Sequence, residues 1–258
     1  MLRVAGLAIA VLALAPRVES QSGAGAAPVH VPFGVGERLE YQIGYGPFNR
    51  GTASMEIVGL DTIRGRQAWH GEFDVRGGVP FFRVEDHDES WIDTRTIASL
   101  RFKQNHHEGS YQRLRTYEFL PDSRMVIEGK SDTTATVEHP VDDTSILYLI
   151  RTIALTVGLD TAFNNYFLLD RNPSRIRVLG RERVSVPAGE FDAIIIQPQI
   201  KSKGIFSEGG EARVWLSDDD RHIILQVKSK VPHLPIGSLN LFLKSYRPPT
   251  SRPSDDRP

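Results

Sequence analysis

Apolar and polar positions alternate with period two along most of this chain, the mark of strands with one buried face. Leu39, Tyr41, Ile43 and Tyr45 alternate with Arg38, Glu40, Gln42 and Gly44. After a turn signal at Gly46-Pro47, Ala53, Met55 and Ile57 continue the pattern. Trp69, Glu72-Phe73 and Val75, then Ser90 to Ile92, Leu100 to Lys103, Leu114 to Phe119 and Met125 to Ile127, extend it. Turn residues at Gly77-Gly78, Glu108-Gly109, Pro121-Asp122 and Gly129 separate these runs. Further strands are expected at Tyr166 to Leu169, Ile176 to Leu179, Arg183 to Val186, Ala193 to Ile200, Arg213 to Leu216, Ile223 to Lys228 and Leu239 to Tyr246. The sum predicts an all-β, mainly antiparallel sheet of about ten to twelve strands, and an open sheet of that length curls or closes. A strongly curved sheet or half-open barrel is the expected architecture.

One segment departs from that period. Ile146, Leu147, Leu149, Ile150, Ile153, Ala154, Leu155 and Val157 leave little polar face, which predicts a central buried helix over 146–157. Asp142, Asp143, Thr144 and Ser145 offer oxygens to the free amides of a first turn, and Gly158 is a natural stop. Such a helix should lie as a plug or lid against the concave face of the sheet. Arg151 on it needs a partner, because an uncompensated buried charge costs several kcal/mol. Glu37, Glu40 and Asp93 are the candidates, with a ligand headgroup as the alternative.

The ends of the chain place it in a compartment. Met1-Leu2-Arg3 followed by the apolar run Val4 to Ala15 has the layout of a secretory signal peptide. Cleavage after Ser20 fits, and cleavage after Ala26 fits as well. Residues 1–20 are read as the leader, 21–32 as a flexible lead-in, 33–247 as one β-rich domain and the proline-rich 248–258 as a disordered tail. The chain has 31 basic and 32 acidic residues; losing Arg3, Arg17 and Glu19 with the leader leaves a net charge of −2. That balance offers no electrostatic case for nucleic acid. The chain has no cysteine, which excludes a disulfide framework, thiol catalysis and a lipid-bearing Cys. No second apolar run reaches the roughly 20 residues of a membrane span, so no transmembrane anchor is expected in the mature chain. An exported protein follows, periplasmic or else extracellular.

Gly36-Glu37-Arg38-Leu39-Glu40-Tyr41, followed by Gly51-Thr52-Ala53, resembles the opening of domain-of-unknown-function family 3108, a set of exported bacterial proteins. Asp142 to Arg151, Val186 to Phe191 with its Gly189-Glu190-Phe191, Val214-Trp215-Leu216-Ser217-Asp218-Asp219 and Ile236-Gly237-Ser238 fit the same family in order. The resemblance covers nearly the whole mature domain and implies no activity. Its sheet-plus-helix pattern is similar to that of periplasmic lipoprotein carriers, which hold acyl chains in a half-open barrel. That is an analogy of fold, and fold does not determine function.

Candidate chemistry is sparse. A zinc-protease helix needs His-Glu-x-x-His; here His107-Glu108 is followed by Gly109, Ser110 and Tyr111, and His106 to Glu108 reads as a strand end and turn. Histidines 30, 70, 87, 139, 222 and 233 lack ligand spacing. No metal and no cofactor are expected. Ser207 follows Ile205 where a nucleophile elbow needs glycine two residues before the serine. Asp86, Asp88 and Glu89 flank His87 and are the candidate carboxylates for glycan hydrolysis or calcium, without the spacing of a calcium loop. Asp218-Asp219-Asp220 suits a hairpin turn.

The apolar residues carry the functional expectation. Tyr41, Tyr45, Trp69, Phe73, Trp91, Phe102 and Phe119 are inward candidates for a ligand cavity. Phe81 and Phe82 beside Gly77-Gly78, with Gly204-Ile205-Phe206 and Val231 to Ile236, are candidate rim segments, and Arg151 is the candidate headgroup contact. Together they suggest a non-enzymatic envelope protein that binds an apolar small molecule or lipid. A protein–protein assembly or chaperone module of the envelope, and a hydrolase using Asp86 and Glu89, are the rival expectations.

Overall fold

The structure, a computed structural model, describes residues 31–45, 48–79, 82–199, 212–230 and 238–250. The expected leader, and the segments 204–206 and 231–236, lie outside the described residues. Among the described residues, fourteen strands form one antiparallel sheet. The first arm is β1 (Arg38–Tyr45), β2 (Phe48–Ile63), β3 (Arg66–Val79), β4 (Phe82–Asp93), β5 (Ser99–Glu108), β6 (Tyr111–Leu120), β7 (Met125–Glu128) and β8 (Asp132–Ala135). The second is β9 (Asp160–Phe163), β10 (Ser174–Val186), β11 (Gly189–Gln199), β12 (Arg213–Ser217), β13 (Ile224–Lys230) and β14 (Ser238–Arg247). Each arm is a meander, and β1 pairing with β14 joins them.

The strand count exceeds the ten to twelve expected from sequence. Ile176–Leu179 and Arg183–Val186 prove to be one strand, β10, shifted in register between Val178 and Gly180. Tyr166 to Leu169 is no strand; Tyr166 makes only an isolated parallel bridge with Val141. The unforeseen strands are β8 and β9, the two edges. Each has four residues, and those of β8 are all exposed, so neither carries an apolar alternation to read.

Register shifts at Glu40/Tyr41, Ile43/Gly44, Ile57/Gly59 and Trp91/Ile92 bend the long strands. The sheet curls into a half-open barrel and does not close. Between its edges, Val141 N donates to Asn165 O at 2.7 Å and Thr136 Oγ1 to Phe167 O at 2.7 Å. These bonds tie the two arms near the gap.

Inside the curve lies α1 (Ser145–Arg151), seven residues rather than the run to 157 expected from its apolar spacing. The Thr152 hydroxyl donates to Leu149 O at 2.8 Å, competing with helix continuation. Val157 is 51% exposed, so the remaining apolar run is an irregular segment rather than a buried helical face. At the other end Thr144 makes no side-chain cap. Asp142 Oδ1 does that work, accepting from the amides of Thr144 and Ser145 at 2.8 and 2.7 Å.

Tyr148 faces Gly71 of β3, where an added Cβ would stand 3.2 Å from the ring. Phe33 packs edge-on to both Tyr148 and Trp69, at 4.8 and 5.2 Å between centroids. At about 1.5 Å per residue α1 is ~10 Å long, whereas the longest strands span ~50 Å. The helix therefore covers a fraction of the concave face.

Candidate functional site

Strand alternation and register decide which side chains share the concave face. Ser90 fixes the orientation of β4, because its hydroxyl donates to Asp142 Oδ2 at 2.6 Å beside α1. Asp88, Asp86 and Val84 follow on the same side. Tracing partners outward gives a row across seven strands: Leu243, Tyr41, Ala53, Val75, Asp86, His106, Arg113. The row beside it reads Leu39, Met55, Phe73, Asp88, Gln104, Arg115. On the other side it reads Leu241, Ile43, Gly51, Gly77, Val84, Glu108, Tyr111.

In two of these rows the change from apolar to polar falls between β3 and β4, and in the third between β4 and β5. One half of the concave face, on β14, β1, β2 and β3, is a continuous apolar wall. The other half, on β4, β5 and β6, carries carboxylates, a histidine and arginines.

The polar half is tightly connected. Asp88, 8% exposed, accepts from His106 Nε2 at 2.7 Å. Asp86 Oδ1 accepts from the His107 amide at 3.2 Å. Gln104 Nε2 donates to Asp143 Oδ2 at 3.4 Å, and Tyr166 Oη to Asp143 Oδ1 at 2.6 Å. Burial pushes Asp86 up to about 6, ahead of the opposing charge of His106. Burial also raises Asp88. For His106 burial opposes the charged form, but the hydrogen bond and charge of Asp88, with Asp86 and Glu108, outweigh it and hold the imidazole above its usual range.

The candidate cavity residues divide. Tyr41 is buried on the apolar wall, its hydroxyl donating to Ile224 O at 3.0 Å. Phe73 is half-buried on the same wall. Trp69, Phe102 and Phe119 face inward but pack on the protein's own rings: Trp69 on Phe33, Phe102 on Tyr117 at 5.9 Å and Phe119 on Phe167 at 5.7 Å.

Trp91 corrects the expectation. Alternation puts Ser90 and Ile92 inside and Trp91 on the convex face, stacked on His70 at 4.3 Å, with Nε1 donating to Asp61 at 2.6 Å. Arg151 has the partner that its burial requires. It makes a two-pronged ion pair with Glu37, at 2.7 and 2.8 Å, both side chains being fully buried. Tyr45 and Phe82 lie in β1 and β4, with side chains outside the described residues; Phe81 lies outside them altogether.

Two further expectations change. His106 and Glu108 belong to β5 and point to the concave face, so only Gly109 and Ser110 form the turn. Asp86 and Glu89, paired in the hydrolase reading, fall on opposite faces of β4. Glu89 instead meets His70 Nε2 at 3.0 Å and Lys103 at 3.5 Å on the convex side. The relevant signal was present in the sequence: Asp86-x-Asp88 and His106-x-Glu108 are strand-spaced pairs, each of which shares a face. Asp218 and Asp219 do occupy the turn after β12, bonded to Arg181 and to Ser217 and Arg221. Ser207 lies outside the described residues.

Comparison with known proteins agrees with this architecture. A family model described as Protein of unknown function (DUF3108) matches residues 40–244. The chain belongs to the DUF3108 family. No curated protein matches it in sequence. Among solved structures, this DUF3108 chain is similar to a beta-barrel-like protein of the DUF1849 family from Brucella abortus. The TM-score is 0.52 at 9% identity, over 82% of this chain and 96% of that one. At that identity the likeness concerns the fold alone. A protein from Bacteroides fragilis described as exported, with a YmcC-like fold, gives 0.32 at 10% identity over 86% and 100% of the two chains. One from Parabacteroides distasonis described as a lipoprotein gives 0.28 at 8% identity over 85% and 99%. Among the described residues of the DUF3108 chain, no helix is long and apolar enough to cross a membrane.

Proposed function

We propose that this protein is a non-enzymatic binding protein of the cell envelope, holding an acyl-bearing ligand against the apolar half of its concave face. The observation that carries the reading is the division of that face: an apolar wall of Leu243, Tyr41, Ala53 and Val75 continues along the same row into Asp86, His106 and Arg113. Leu243, Tyr41 and Ala53 back this wall as core, and the half-buried Phe73 and Val75 are where an amphiphile's chain would lie, its polar head on the other half. The short helix supports the same reading, since a one-sided plug leaves an edge-open sheet able to admit a ligand. Each methylene transferred from water contributes about 0.8 kcal/mol, so a few contacts suffice for useful affinity. The apolar leader supports export to the envelope.

Titration of the purified protein with a fluorescent fatty acid tests the proposal. Saturable binding is expected, and Val75→Asp, at a half-buried position on the apolar wall, should weaken it about tenfold, the equivalent of two methylene contacts. Absence of saturable binding, or a Val75→Asp variant that binds as the parent does, would overturn it.

A further inference from the structure

The acyl-ligand reading sets a polar head over the polar half of the concave face but gives the side chains there no chemistry of their own. Asp86 and His106 are directly opposed on β4 and β5, and Glu108 follows two residues on along the same face. One ligand atom from each of Asp86, His106 and Glu108 lies within 4.8 Å of the others. Donors at ~2.1 Å from a tetrahedral ion stand ~3.4 Å apart, so modest side-chain rotation would close the set around one ion.

Asp88 stands behind His106. It accepts from Nε2 at 2.7 Å and is itself buried, as is the carboxylate that orients a ligating imidazole. With the proton on Nε2, the lone pair is on Nδ1, the nitrogen free to ligate.

Charge and an unpartnered atom point the same way. Asp86, Asp88 and Glu108 are three acidic groups on one side of the sheet, and the cation opposite His106 in register is Arg113. Among the described residues Arg113 forms no ion pair, and its Nε is buried without a hydrogen-bond partner. A divalent ion held by a neutral His106 would be countered by these three carboxylates. An exogenous ligand on that ion would supply the acceptor that Arg113 Nε lacks.

A second trio, Glu72, Asp74 and His87, converges on the convex face. There, however, His87 Nδ1 is already engaged by Asp74 at 3.0 Å, and the ring is more exposed.

We propose that Asp86, His106 and Glu108 bind one divalent first-row ion of the zinc or manganese class, with Asp88 as the positioning residue for His106. A set of one nitrogen and two carboxylate oxygens suits these ions, and three protein donors leave a coordination position open. The inference stands independently of the acyl-ligand reading.

The test uses the untagged full chain, stripped with chelator and titrated calorimetrically with zinc chloride and with manganese chloride. Bound metal is then counted by mass spectrometry after desalting. One ion per chain is expected, with affinity falling at least about tenfold in each of Asp86→Asn, His106→Gln and Asp88→Asn, and unchanged in His87→Gln. Circular dichroism melts establish that each variant folds; should His106→Gln fail to fold, Glu108→Gln at the end of β5 replaces it. Stoichiometry of zero for both ions would overturn the proposal. So would binding that survives the concave-face substitutions, or that is lost with His87→Gln.

Discussion

Replacing Arg151 by methionine should be among the most damaging single changes in this protein. Arg151 is fully buried, and its guanidinium donates to both carboxylate oxygens of Glu37, at 2.7 and 2.8 Å, and to Arg221 O at 3.2 Å. Glu37 is 1% exposed and also accepts from Tyr246 Oη at 3.2 Å. The pair joins the end of α1 to the chain entering β1. In Arg151→Met the Glu37 carboxylate keeps one hydroxyl donor and loses its direct ion-pair partner. Breaking a buried pair from one side costs about 3–5 kcal/mol. For a domain of this size that corresponds to a melting temperature lower by roughly 6–20 °C. Converting both partners, Glu37→Leu with Arg151→Met, removes the stranded charge, so the double variant should be more stable than Arg151→Met alone. Urea unfolding followed by tryptophan fluorescence and circular dichroism measures the parent, Arg151→Met, Glu37→Leu and the double variant, and the double-mutant cycle should give a coupling of about 2 kcal/mol or more. A loss under about 1 kcal/mol in Arg151→Met, or additive losses in the cycle, would refute the view that this pair pins helix to sheet.

Three other changes probe the inner surface. Burial pushes Asp142 up to about 6, from 3.8. A carboxyl raised on folding binds its proton more tightly in the folded state. Its contribution is therefore fully present below about pH 4 and is lost as pH rises through 6, a change of about 3 kcal/mol. Asp142→Asn, which keeps the oxygen that caps α1, should flatten the stability profile between pH 4 and 7 in urea titrations; an unchanged slope would contradict the assignment. Tyr148→Phe should be neutral or slightly stabilising by thermal melt, because the Tyr148 hydroxyl is buried without a partner; a loss above about 1 kcal/mol would reveal a hidden acceptor. Gly71→Ala should cost about 1–3 kcal/mol, since the new methyl meets the Tyr148 ring at 3.2 Å and Ile57 Cδ1 at 3.5 Å, and wild-type stability in that variant would mean the helix can shift away.

The strand pattern was legible wherever one face is buried. Leu39, Tyr41 and Ile43 alternate because β1 has the core on one side, and they are buried as their spacing implied. The edges were illegible because β8 has no buried side at all. The helix was overextended because hydrophobicity alone cannot distinguish a helical run from an irregular apolar segment; the Thr152 hydroxyl bond to Leu149 is a local competitor that no periodicity reveals. Arg151 was narrowed to Glu37, Glu40 or Asp93, and choosing Glu37 required the three-dimensional approach of two segments far apart in sequence. Trp91 was misplaced because a large aromatic was assumed to face inward, whereas His70, Arg101 and Lys103 form a separate outer nest for it. The polar half of the concave face was missed for a related reason. Asp86 and Asp88 were weighed with Glu89 as hydrolase or calcium carboxylates and His106 to Glu108 as a helix motif or turn, and strand register alone unites the four.

The proposed seat of an acyl-bearing ligand on the concave face is tested most directly by native mass spectrometry of the protein purified, without detergent, from its own cells. A population heavier than the bare chain by the mass of one lipid or fatty acid, and released by Val75→Asp, is the predicted result. A spectrum of bare chain alone, from protein that also fails to take up added fatty acid, would contradict it.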